Sequence, residues 1–158
     1  MVRLLLISAL IACGPSAGET AAVNYAAEMQ SLFEENKAIN RAFLDVAAKL
    51  KRGRMDVHEV AKRFDSQVVP RAVALSERVA TVSPETDTLS QVHAEITRAW
   101  SIRAAAYTSL NQAWTDGDLQ AYTRALHDNT AVTKAEVRYI DAVNAVLAPH
   151  QLQIDPYP

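Results

Sequence analysis

The chain has 158 residues, 49% of them hydrophobic, with 28 Ala against only 4 Gly and 6 Pro; this excludes a disordered tail and points to one helix-rich domain. Its 16 basic and 18 acidic residues leave a formal charge of -2, which argues against the broad phosphate affinity of a nucleic-acid binder. A single Cys excludes an internal disulfide, a four-thiolate zinc site and a CxxCH haem attachment.

Met1-Val2-Arg3 precedes an apolar run from Leu4 to Ala12, broken only by Ser8, and Cys13-Gly14-Pro15-Ser16-Ala17-Gly18 follows it. This is the layout of a secretion signal, and the run is too short to span a bilayer as a helix. Leu10-Ile11-Ala12-Cys13 resembles the lipobox of bacterial lipoproteins. That resemblance implies cleavage before Cys13, acylation of its thiol and new amino group, and a domain held at a membrane by several acyl chains. Gly14 after the Cys, where Asp would retain the protein elsewhere, implies the outer membrane, with the domain facing the periplasm. Residues 1–12 are then signal peptide, and 13–20 are the lipidated Cys and a flexible tether.

Helical spacing begins near Ala21, where Tyr25, Met29, Leu32, Asn36, Ile39, Phe43, Val46 and Leu50 recur at intervals of three and four. Arg52-Gly53-Arg54 stops this helix, and Asp56 with Glu59 forms a capping box for the next. The second stripe is Ala61, Phe64, Val68, Ala72, Leu75, Val79 and Val82, with a kink expected at Pro70, which lacks an N–H and clashes with the Ser66 carbonyl. Ser83-Pro84 reads as a cap and first helical residue. Leu89, Val92, Ile96, Ala99, Arg103, Ala106, Leu110 and Ala113 form the third stripe. After the turn Asp116-Gly117-Asp118, Leu119, Tyr122, Leu126, Asn129, Thr133, Val137, Ile140, Val143 and Leu147 form the fourth, ended by Pro149. Four such helices on short connections predict an all-α, up-down-up-down four-helix bundle over 21–148, with 149–158 an extended tail that lies over the bundle or hangs free.

The polar residues within these stripes fall near mid-helix: Asn36, Arg103, Asn129 and Thr133. A buried Arg103 needs partners such as Asn36, Asn129 or Glu136. The set is therefore a register-fixing network or a mid-bundle pocket for a small molecule or anion, unless Arg103 points to solvent. His93, Trp100, Tyr107 and Trp114 recur every seven residues along one helix edge, either flanking the core or forming an apolar surface for a partner. Lys49, Lys51, Arg52 and Arg54 share an end of the predicted bundle with Asp116 and Asp118, close enough for mutual neutralisation.

No Glu-x-x-His pair is present for a di-iron site, His93 and Glu95 lack the Pro-Cys-x-x-Cys of zinc deaminases, and no His faces Met29 to complete a haem site. Neither a Gly-x-Ser-x-Gly elbow nor a phosphate loop occurs. The sequence thus predicts no metal, no cofactor and no enzyme. The expectation is a membrane-anchored envelope lipoprotein that engages another envelope protein, with a periplasmic small-ligand binding or sensing bundle as the alternative.

Overall fold

The structure, a computed structural model, describes residues 16–156. The lipobox and Cys13 lie outside them. The described chain is an all-α four-helix bundle of α1 (Ala17–Lys51), α2 (Val57–Gln67), α3 (Val69–Thr81), α4 (Asp87–Asp116) and α5 (Leu119–Leu147), with a short 3-10 turn at Ala148–His150. α2 and α3 lie end to end and together form the second arm. Cross-helix pairs give the direction of each element. Tyr25 meets Tyr139 and Asn36 meets Glu136, so α1 and α5 are antiparallel. Tyr25 meets His93 and Asn36 meets Arg103, so α1 and α4 are parallel.

Local chemistry sets the ends. The Ser16 hydroxyl accepts from Glu19 N and starts α1 at Ala17. Residues 17–20 are therefore helix, which corrects the expected tether at that point. Asp56 caps α2 by accepting from Glu59 N, although the Glu59 carboxylate pairs with Arg63 instead of completing the capping box, and Asp118 caps α5 with two bonds, to the N–H groups of Gln120 and Ala121. Gly117, at φ 70°, supplies the left-handed residue that ends α4. The Ser83-Pro84 cap is a second correction: α4 starts at Asp87, where the Thr86 hydroxyl accepts from Leu89 N. In the second arm the helical path is interrupted at Val68, and Pro70 sits in the first turn of α3, where a missing N–H costs least.

The core runs the length of the bundle, with Phe64 at its lower centre in edge contact with Phe43, Tyr107 and Trp114. The α5 face is turned from the predicted one. Its buried positions are Ala125, Val132, Tyr139, Val143 and Leu147, whereas Val137 and Thr133 are exposed. The charged end also departs from expectation: Lys49 pairs with Asp45 on its own helix, and Asp118 is engaged as a cap.

α1 packs closely on α2 and α3, and α5 packs closely on α4, but α1 and α5, which must meet to close the ring, do not come as near. At one end of this open seam the tail fills the gap. Gln151, at φ 57°, reverses the chain after the 3-10 turn, and residues 152–156 run back along the seam. Ile154 is buried between half-buried Leu152 and Pro156, while Gln153 and Asp155 are exposed, the two-residue alternation of an extended segment lying on an apolar surface.

Candidate functional site

At mid-bundle, α4 carries Arg103 into the interior, where it is 3% exposed. Its guanidinium makes four hydrogen bonds, all to α1 and α5. Nη1 donates to Asn36 Oδ1 at 2.8 Å and to Glu136 Oε1, Nη2 donates to Glu136 Oε2 at 2.9 Å, and Nε donates to Asn129 Oδ1 at 3.3 Å. Glu136 Oε1 also accepts from Asn36 Nδ2 at 2.9 Å and from Trp100 Nε1 at 2.7 Å. Asn36, Arg103 and Asn129 are thus brought together as the sequence suggested. Thr133 is not part of the network; its hydroxyl donates to the Asn129 carbonyl of its own helix at 3.3 Å, and its side chain faces outward.

The heptad edge of α4 lies inside. His93, Trp100 and Tyr107 are buried and only Trp114 is half-buried, packed on Phe64 and Tyr122. A partner surface built from these four is corrected: α4 is covered from several sides, so the edge beside its predicted stripe is core as well.

His93 belongs to a second polar chain. Its Nε2 lies 2.9 Å from the Val79 carbonyl, which can only accept, so Nε2 carries the proton and Nδ1 accepts from the Tyr25 hydroxyl at 3.0 Å. Tyr25 in turn accepts from Tyr139 at 2.8 Å. The result is one directional run, Tyr139 to Tyr25 to His93 to Val79, that joins α5, α1, α4 and α3. Burial pushes Tyr25 up to about 12 and raises Tyr139 further, so both stay protonated donors at neutral pH. Burial also lowers His93, against the Val79 bond and the charge of Glu28, which favour its protonated form.

Below the tail, the α1–α5 seam opens into a groove of about 560 Å³. α1 supplies Phe33, Asn36, Lys37, Asn40, Arg41, Phe43 and Leu44, and α5 supplies Asn129, Thr133, Glu136, Val137, Ile140 and Asp141. Arg103 and Tyr107 line its α4 side and Pro156 of the tail its upper end. Leu44 and Val137 are 62% and 52% exposed, the largest apolar exposures on α1 and α5 apart from Leu119 beside the Gly117 turn. The walls are apolar, while the floor is a neutralised ion pair with amides around it. Tyr107 donates to Asn40 Oδ1 at 3.0 Å, holding one of those amides in place.

The four mid-helix polar residues singled out in the sequence, Asn36, Arg103, Asn129 and Thr133, all line the groove, whereas Asn40, Gln30 and Asn144 and the apolar sides of the groove were missed. The available signal was a second apolar track on α5: Val137 and Ile140 continue helical spacing beside the core residues Tyr139 and Val143. Among the described residues no three His, Cys, Asp or Glu side chains converge as metal ligands, and no helix is long and apolar enough to cross a membrane. Compared with protein-family models, curated proteins and solved structures, the chain has no match.

Two expected outcomes follow from the polar chains. Arg103→Met leaves Glu136 buried without its cation and is expected to cost about 3–5 kcal/mol at pH 7, and adding Glu136→Leu should recover much of that loss. Urea denaturation of the two variants checks both signs. Because folding lowers the His93 value below its ordinary 6.5, its contribution is complete above that pH and is lost as pH falls from there through the lower folded value. His93→Gln should therefore flatten the stability profile just below pH 6.5, measured against the parent chain in the same buffers.

Proposed function

We propose that this protein is a non-enzymatic, lipid-anchored binding module of a bacterial cell envelope, acylated at Cys13 and placed at the periplasmic face of the outer membrane. Its working part is the α1–α5 groove, where it engages another envelope protein. The observation that carries this reading is the seam itself: a bundle able to close its ring keeps Leu44 and Val137 exposed on the lips of an apolar trough. Apolar surface gathered in a concavity marks binding sites more often than scattered exposure does.

The anchor and the groove are compatible in space. The groove centres near Ala38, 21 residues beyond the start of α1, which puts it about 30 Å along the bundle from the anchored end. A partner could reach it without inserting in the bilayer. The absence of a nucleophile–base motif from the sequence supports a binding role over a catalytic one.

The groove volume favours a second reading, a periplasmic small-ligand or sensing module, because it falls within the usual range for such sites. Arg103 is neutralised by Glu136, so that ligand would be a largely apolar molecule, not the small anion that Arg103 alone suggests. A ligand retained in native mass spectrometry of the intact protein would favour this second reading.

A photo-crosslinking amino acid placed at Leu44 or Val137 in living cells should capture one common partner, whereas Leu119 and Val57, exposed to 74% and 44%, should not. Cys13→Ser should abolish both fatty-acid labelling and the capture. Equal capture from all four positions, or none from the groove, would contradict the proposal.

A further inference from the structure

The tail shows how this seam accepts polypeptide. Asn144 of α5 holds both main-chain groups of Ile154, accepting from its N–H at 2.8 Å and donating to its carbonyl at 3.1 Å. Gln30 of α1 does the same for Asp155, at 2.9 Å and 3.0 Å. In an extended chain the N–H and C=O of one residue point to one side and those of the next to the other. The tail therefore lies between α1 and α5 as a strand does between two neighbours, with amide side chains in place of neighbouring backbones. Ile154 points into the seam and Asp155 points out.

The groove continues this track beyond Pro156, in the same direction and between the same two helices. It carries the same kind of side chain on both walls. Asn40 on α1 uses its Oδ1 for Tyr107 and Asn129 on α5 uses its Oδ1 for Arg103. Among the described residues neither Nδ2 has an acceptor, so each wall offers an amide donor to the groove. From Phe33 to Leu44 the α1 wall spans eleven residues, about 17 Å, enough for about five residues of extended chain.

We propose that the groove binds an extended segment of a partner protein, about five residues long, whose main-chain carbonyls accept from Asn40 Nδ2 and Asn129 Nδ2 as the carbonyls of Ile154 and Asp155 accept from Asn144 and Gln30. Alternate side chains of the guest enter the trough between Phe33, Leu44, Val137 and Ile140. Its outward side chains pass Arg41 of α1 and Asp141 of α5, so polar residues are favoured there. The tail sequence Leu152-Gln153-Ile154-Asp155 is an example of the pattern: apolar, polar, apolar, polar. This inference rests on the groove being the partner-binding element. It adds that recognition runs through main-chain hydrogen bonds to an extended peptide, the mode used when a strand joins a sheet edge, and not through a helix laid in the groove.

The test is to pan a phage-displayed library of random eight-residue peptides against the intact protein, then measure the selected peptides as synthetic ligands. The expected result is apolar residues at every second position, with at least a tenfold loss of affinity when the guest amides whose carbonyls face Asn40 and Asn129 are replaced by alkene isosteres, which cannot accept. A similar loss is expected in Leu44→Glu and in Asn129→Ala; Leu44 is exposed, so that variant keeps the fold. Selected peptides with apolar spacing of three and four, or affinity indifferent to removal of those carbonyls or to Leu44→Glu, would overturn the inference. Groove-specific crosslinking in cells combined with helical-spaced peptides would leave the binding role standing and remove only the extended mode. No groove-specific crosslink would remove the role itself.

Discussion

Glu136 carries a negative charge to the middle of the bundle, and a single oxygen of it accepts from α1, from α4 through Trp100, and from α4 again through Arg103. An ion pair at the floor of a groove, with Glu136 only 12% exposed, is stable when most of its donors and acceptors are met, and here Asn36 and Asn129 supply further bonds. Sliding one helix by a turn would break several charge-assisted bonds at once. The pair thus fixes the register of α1, α4 and α5, a role that an apolar layer of equal volume serves less specifically.

The same chemistry governs the shape of the α1–α5 seam. Helices close on one another by interlocking apolar side chains, yet the facing positions here are Asn36, Asn40, Asn129 and Thr133. Apart from the Asn36 bond to Glu136, these residues bond to Arg103, to Tyr107 or to their own helix, and they supply no interlocking apolar contact between α1 and α5. Above this level the tail supplies Ile154 and the seam is filled. At the level of the ion pair nothing in the described chain does so, and the groove remains. The register of the helices and the groove are in this way two results of one charge at mid-bundle.

Much of this was legible in the sequence. Spacings of three and four gave the helices, the Gly117 turn gave antiparallel neighbours, and mid-helix polar residues marked the network, because a buried Arg must find acceptors. The failures have physical causes. On α5 two apolar tracks lie one position apart, and periodicity alone cannot say which faces the core; the track through Val137 and Ile140 lines the groove, while that through Val132 and Tyr139 is buried. The α4 edge of His93, Trp100 and Tyr107 has the same ambiguity in reverse, since a helix enclosed by its neighbours buries more than one stripe. Gln30 and Asn144 gave no signal at all: their role depends on the course of a tail more than 100 residues distant from Gln30 in sequence.

If the polar middle holds the seam open, the spacing of its two lips depends on it. Spin labels at positions 44 and 137, in a Cys13→Ser background, report that spacing by pulsed electron resonance. A shorter and narrower distance distribution is expected when Asn36, Arg103 and Glu136 are all replaced by Leu, as apolar side chains draw α1 onto α5. An unchanged distribution in a folded triple variant would contradict it.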